Sequence, residues 1–177
     1  FGMFHADGNA GGVGFSIYDR PTAKRYWIQC DHPDGPHGKD INALVIDHNG
    51  NVWAGAERGG LFRFDGTKWT HYGIPDLPND EIFGLYVDAQ GILWVGTWEG
   101  IAKFDGTRWT TPYRASELSI FDNHVHAFAV DGDQNIWIGH VDAGISRFTN
   151  STGQWTHIVT ATSTIGGNLI RSMVVQP

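Results

Sequence analysis

The sequence predicts an all-β fold assembled from a recurring four-stranded unit, and three observations carry that prediction. The first is that one stretch is repeated. Ile82 to Trp109 reads IFGLYVDAQGILWVGTWEGIAKFDGTRW, and Ile41 to Trp69 upstream and Val125 to Trp155 downstream follow the same order of residue types. The step from the opening aliphatic residue to the first Trp is twelve each time: 41 to 53, 82 to 94 and 125 to 137. A period of 41 to 45 residues belongs to repeat architectures, whose units stack because none buries its own faces alone. The second observation is that no stretch sustains a 3.6-residue period, while short apolar runs alternate with Asp- and Gly-bearing turns. The third is composition: 24 Gly and 8 Trp against only 18% charged residues suit tight turns and broad aromatic packing.

Each repeat reads as four strands. Strand A is the apolar run 41–46, 82–87 or 125–130, and its near-continuous apolarity predicts burial on both faces. A turn follows, Asp47-His48-Asn49-Gly50, Asp88-Ala89-Gln90-Gly91 or Asp131-Gly132-Asp133-Gln134. Strand B carries Trp53, Trp94 or Trp137, and strand C ends near Phe64, Phe104 or Phe148. Asp65-Gly66 and Asp105-Gly106 are hairpin signals, because Gly accepts the positive φ such turns need. Strand D carries Trp69, Trp109 or Trp155. Before the first repeat, 14–19 matches strand C and 25–29 matches strand D; after the last, 170–175 matches strand A.

Four-stranded units of this length make the blades of a β-propeller. Four antiparallel blades are expected, near 41–81, 82–124 and 125–167, with the last built from both chain ends, 1–40 plus 168–177. The chain then closes as a small ring or supplies half of a larger one. Half a ring is favoured, since four blades demand steep packing angles. Small residues in strand A, Ala43, Gly84, Ala127 and Ser172, are expected along the crowded inner wall.

Charge and composition exclude several classes. A net charge of −7 disfavours nucleic acid, which needs a basic face, and an acidic membrane surface. Cys30 is the only cysteine, so no intrachain disulfide forms. No apolar run approaches the roughly 18 residues of a membrane span, and no signal-peptide pattern is visible. The first residue is Phe, which suggests a mature product, an excised domain or part of a longer chain.

The string aliphatic-x-x-Leu-x-x-Asp-x-x-Gly-x-x-Trp-x-Gly-Thr-x-x-Gly-x-x-x-Phe-Asp-Gly resembles the two-component regulator propeller repeat. The segment 82–106 carries it nearly whole; the repeat from Ile41 has Ala56 in the Thr place, and the one from Val125 has His140 there. The resemblance covers roughly residues 12 to 176. It implies a periplasmic or extracellular sensor module of a signalling protein, often one that reads carbohydrate fragments. Similar propellers occur in streptogramin-lyase-like proteins, whose His/Glu/His set has no motif-by-motif match here.

Internal comparison separates two edges. The A–B edge never changes length, whereas the B–C and D–A loops vary, and variable loops are where binding lives. The B–C loops offer Glu57 and Arg58, Trp98 and Glu99, then His140 and Asp142. The D–A loops offer Asp34, His37, Asp80, Asn123 and His124. Strand A adds a position that breaks the apolar rule, Asn42, Phe83, His126 and Arg171. His124, His126 and His140 come nearest to a catalytic or metal cluster, but two solvated edge histidines and one satisfied buried one are the favoured account. Asp131-Gly132-Asp133-Gln134-Asn135 resembles a calcium loop only faintly, lacking the bidentate Glu. No cofactor or metal is called for. The expected function is non-catalytic binding of a small molecule, an oligosaccharide or a protein partner, with Trp98 as a stacking platform. The alternatives are a lyase or hydrolase using rim histidines, and a scaffold that binds protein or assembles with itself into a larger ring.

Overall fold

The computed structural model describes residues 14–19, 24–29, 34–36, 41–110, 125–159, 167 and 169–173. Among them are thirteen strands and no helix. Two complete four-stranded antiparallel sheets follow the expected A-B-C-D order. The first is β3 (Ile41–Ile46), β4 (Val52–Ala56), β5 (Leu61–Phe64) and β6 (Trp69–Tyr72). Between the two lies a sheet of β7 (Ile82–Val87), β8 (Leu93–Thr97) and β9 (Gly100–Phe104), with Trp109 bridging back to Phe104. The third repeat forms β10 (Val125–Val130), β11 (Ile136–His140), β12 (Ile145–Thr149) and β13 (Gln154–Ile158). Ahead of them, β1 (Gly14–Asp19) and β2 (Lys24–Gln29) pair antiparallel in the places predicted for strands C and D. The architecture is a β-propeller of four-stranded antiparallel blades.

Burial corrects one expectation. Strand A is not buried on both faces: β3 alternates, with Leu44 37% and Ile46 63% exposed. Strand B is the more buried: every residue of β8 is buried, and all but one each in β4 and β11. The reason is position in the sheet. Strand A is hydrogen-bonded on one side only, while strand B has a ladder on both sides and a neighbouring blade against its face.

The blades stack through aromatic and aliphatic side chains. Trp53 and Leu61 of one sheet join Ile82, Leu93, Val95 and Phe104 of the next in a single buried cluster. A second such cluster joins Trp94 and Ile101 to Val125, Ile136 and Ile138. Fully burying side chains of this size contributes roughly 1.5–3 kcal/mol each. The tightest approach lies at the strand-B glycines rather than along the small residues of strand A. A β-carbon on Gly55 would collide with the Ile82 side chain, and one on Gly139 would collide with Ile170. Ile170 therefore holds the place against the third blade that Ile82 holds against the first. The strand expected over 170–175 is not formed in its described part, 170–173, where no strand B is paired with it.

The constant A–B turn is explained by one carboxylate per blade. Asp47, Asp88 and Asp131 each accept a hydrogen bond from the indole of the strand-B Trp, all at 2.9 Å. Their other oxygen accepts backbone N–H groups two and four residues on. In the third turn this leaves Asp131 engaged by Trp137 and Asn135, so the faint calcium-loop pattern is a turn latch. Burial pushes the Asp131 carboxyl up, but donors from Trp137, Asn135 and the backbone outweigh it and hold it at about 2. Beneath each latch a cation from strand C lies over the indole: Arg63 on Trp53, Lys103 on Trp94 and Arg147 on Trp137.

Two predictions follow from this packing. Gly139→Ala should lower stability by about 1–3 kcal/mol, the usual cost of overpacking, and a urea midpoint equal to wild type would disprove the close approach. A carboxylate held low when folded stabilises above its unfolded pKa of about 3.9 and loses that effect as pH falls towards 2. Asp131→Asn should therefore lower the urea midpoint at pH 7, with the gap from wild type closing between pH 4 and pH 2. A gap that stays constant across that window would show the latch charge to be irrelevant.

Candidate functional site

Strand A contributes a row of side chains through a defect repeated in each blade. The A–B register shifts between Ile41 and Ala43, between Ile82 and Gly84, and between Val125 and Ala127. Asn42, Phe83 and His126 are thus the extra residues of three β-bulges, skipped in the A–B register. A bulge re-aims its side chain out of the pleat, which is why this position escapes the apolar rule. The three do not stand apart. The imidazole of His126 stacks on Phe83, with ring centroids 4.6 Å apart and planes 15° from parallel. Trp98 also packs on Phe83, with centroids 5.7 Å apart and planes 49° from parallel. Asn42 Nδ2 donates to the Ile82 carbonyl at 3.3 Å, linking the first blade to the row.

Backbone hydrogen bonds hold this rim in place. Gly59 and Gly60 in one B–C loop donate to the Asp80 carbonyl, and Trp98 N donates to the Glu81 carbonyl. Asp80 also accepts from Ile74 N through its side chain, so its loop role is structural. Trp98 remains 36% exposed despite its size. Arg58 is exposed and lies 3.9 Å from Glu81, a surface pair of small energetic weight. Glu57 and Glu99 are half-buried, and the Glu99 N–H donates to Thr97 Oγ1. Asp142, Arg171 and Asp34 are exposed. His124, Asn123 and His37 lie outside the described residues.

His140 departs from the expectation that it faces a ligand on the rim. It is fully buried, and its Nε2 is 2.6 Å from Ser146 Oγ. Ser146 Oγ is in turn 2.9 Å from His157 Nδ1. The Thr and Ala in the equivalent places, Thr97 and Ala56, show that this position points into the blade; Thr97 Oγ1 donates to the Gly100 carbonyl there. The register that pairs Ser146 with His157 is the signal that would have found the relay from sequence. Among the described residues, no three His, Cys, Asp or Glu side chains stand close enough to share a metal ion.

Two segments, 76–99 and 119–142, match the family model described as two component regulator propeller. Each covers a D–A crossing, strand A and strand B, which are the parts that build the bulge row. No curated protein sequence matches the chain. Among solved structures, it is similar to the extracellular domain of a hybrid two component system from B. thetaiotaomicron, with 22% identity and a TM-score of 0.66, covering 78% of this chain and 18% of that one. It is also similar to PorZ, a surface component of the type-IX secretion system of Porphyromonas gingivalis, with 17% identity and a TM-score of 0.70, covering 94% and 28%. Virginiamycin B lyase from Staphylococcus aureus shares the fold at 16% identity and a TM-score of 0.62, covering 89% and 58%. The chain thus spans less than a third of the length of the first two.

The buried relay makes its own prediction. Ser146→Ala leaves a fully buried imidazole nitrogen without its hydroxyl, at a cost of about 1–3 kcal/mol. Ser146→Thr, which keeps the hydroxyl, should recover part of that loss. Equal denaturation midpoints for Ser146→Ala and wild type would show that the relay contributes nothing.

Proposed function

We propose that this chain is a non-catalytic binding segment of the propeller of a periplasmic or extracellular sensor protein. The observation that carries the reading is the row His126, Phe83 and Trp98, two rings stacked at bulges and a loop indole tilted against them, left partly open at one rim. Trp98 is exposed, whereas the strand-B and strand-D indoles whose burial is described are buried or half-buried. The partner that suits the row is a small molecule or oligosaccharide with a face to stack and hydroxyls to bond, with Asn42, Glu57, Arg58, Glu99, Asp142 and Arg171 around it. A protein partner is the competing outcome. The propeller repeats and the extracellular domains of two-component systems among the neighbours support the sensor setting. The virginiamycin B lyase likeness is one of fold, and His140 is closed off from solvent against Ser146.

A glycan array followed by calorimetry on the hits tests this reading. Trp98→Ala and Phe83→Ala should weaken binding about tenfold or more, as loss of a hot-spot ring does, while thermal midpoints change little. Binding that survives both substitutions unchanged would remove the rim as the site.

A further inference from the structure

The opposite edge is made by the A–B turns, which keep one length, and the C–D turns, and it carries a cleft of about 490 Å³ between the second and third sheets. The preceding gap is filled: Tyr72 wedges there against Trp53 at 5.6 Å, Trp109 at 5.4 Å and Phe104 at 6.0 Å. In the open cleft, Ile92, Trp94, Ile136 and Phe148 form apolar walls. Seven polar residues also line it, Lys103 and Gln134 among them. Lys103 lies over the Trp94 ring at 3.8 Å, and burial lowers its pKa against the opposing pull of Asp88. Gln134 brings an Oε1 that is buried and has no hydrogen-bond partner.

Gln134 also breaks the turn rule of its own fold. The equivalent residues are Gly50 at φ 84° and Gly91 at φ 82°, whereas Gln134 holds φ 62° with a full side chain. A left-handed backbone disfavours any residue with a β-carbon. A strained residue whose side chain delivers an unsatisfied acceptor into a cavity is an observed outlier of the kind that marks binding sites. The cleft's charges restrict what enters. Asp88 and Asp105 disfavour an anion, and Lys103 already occupies the indole face that a cation would seek.

We propose that this cleft binds a neutral secondary amide carrying an apolar group, such as a blocked aliphatic amino acid. The amide N–H is donated to Gln134 Oε1, the amide carbonyl accepts from the Lys103 ammonium, and the apolar group lies on Ile92, Ile136 and Phe148. This site is separate from the bulge row on the other rim.

Titration with N-acetyl-leucine N-methylamide, followed by NMR of the Trp94 indole N–H, tests the assignment, with glucose as the polyol comparison. A saturable shift with the amide and none with glucose is expected. Gln134→Gly places in the third turn the residue that the other two already hold, so it should fold with an equal or higher melting temperature. It should nevertheless bind the amide roughly five- to tenfold more weakly. No saturable shift, unchanged affinity in Gln134→Gly, or a response to glucose equal to that of the amide would each overturn the proposal.

Discussion

Each blade depends on one indole held from three directions. Trp53, Trp94 and Trp137 give their N–H to the turn carboxylate, take a cation on one face, and meet strand residues of the same or the next blade around the rest. Trp53 shows the last contact fully, with Phe104 of the next sheet edge-on at 5.6 Å. Such an arrangement resolves a conflict. A large ring must be buried to stabilise the stack, yet its N–H must not be left without an acceptor. The carboxylate at the turn satisfies the N–H and simultaneously ties the turn's own backbone, so one Asp per blade serves both the hairpin and the interface.

This explains why the A–B edge is invariant in length. Moving the Asp by one residue would lose the indole bond and the turn bonds together. The cation above the indole comes from the directly paired residue of strand C, as in the Trp94–Lys103 register. Its aliphatic stem covers apolar surface while its charge rests on the ring. Among the described residues the opposite rim shows no such indole latch, and its loops are tied instead by backbone bonds from Gly59, Gly60 and Trp98. They can differ in length and side chain without disturbing the stack, and that freedom leaves room for the bulge row of Asn42, Phe83 and His126.

Close packing imposes the second constraint. The strand-B glycines let the first residue of the following strand A lie directly on the backbone, so the angle between neighbouring blades is set where Gly55 meets Ile82. Ile170 repeats that contact on Gly139 and donates its N–H to the His140 carbonyl. The chain therefore continues the same stacking step beyond the third blade. At the other end, Leu44 and Ile46 are exposed, whereas Leu85 and Val87 in the same places of the next blade pack on the Trp53 cluster.

What the sequence by itself determined was whatever repeats along the chain. The twelve-residue step from strand A to Trp, the Asp-Gly turns and the four-strand order all express local backbone geometry, so spacing alone revealed the propeller. The odd character of positions 42, 83 and 126 was equally legible, because three copies of one strand can be compared directly. Only the tertiary structure decided what those residues do. The bulge that turns them out, the stack of His126 on Phe83, and the burial of His140 against Ser146 depend on contacts across strands and blades. The cleft at the edge expected to be mere scaffold is of the same kind, since it lies between two sheets and belongs to neither. Local spacing specifies each blade's hydrogen-bonded ladder, but side chains about 40 residues apart meet only once the blades have stacked, and no pattern within one repeat encodes that meeting.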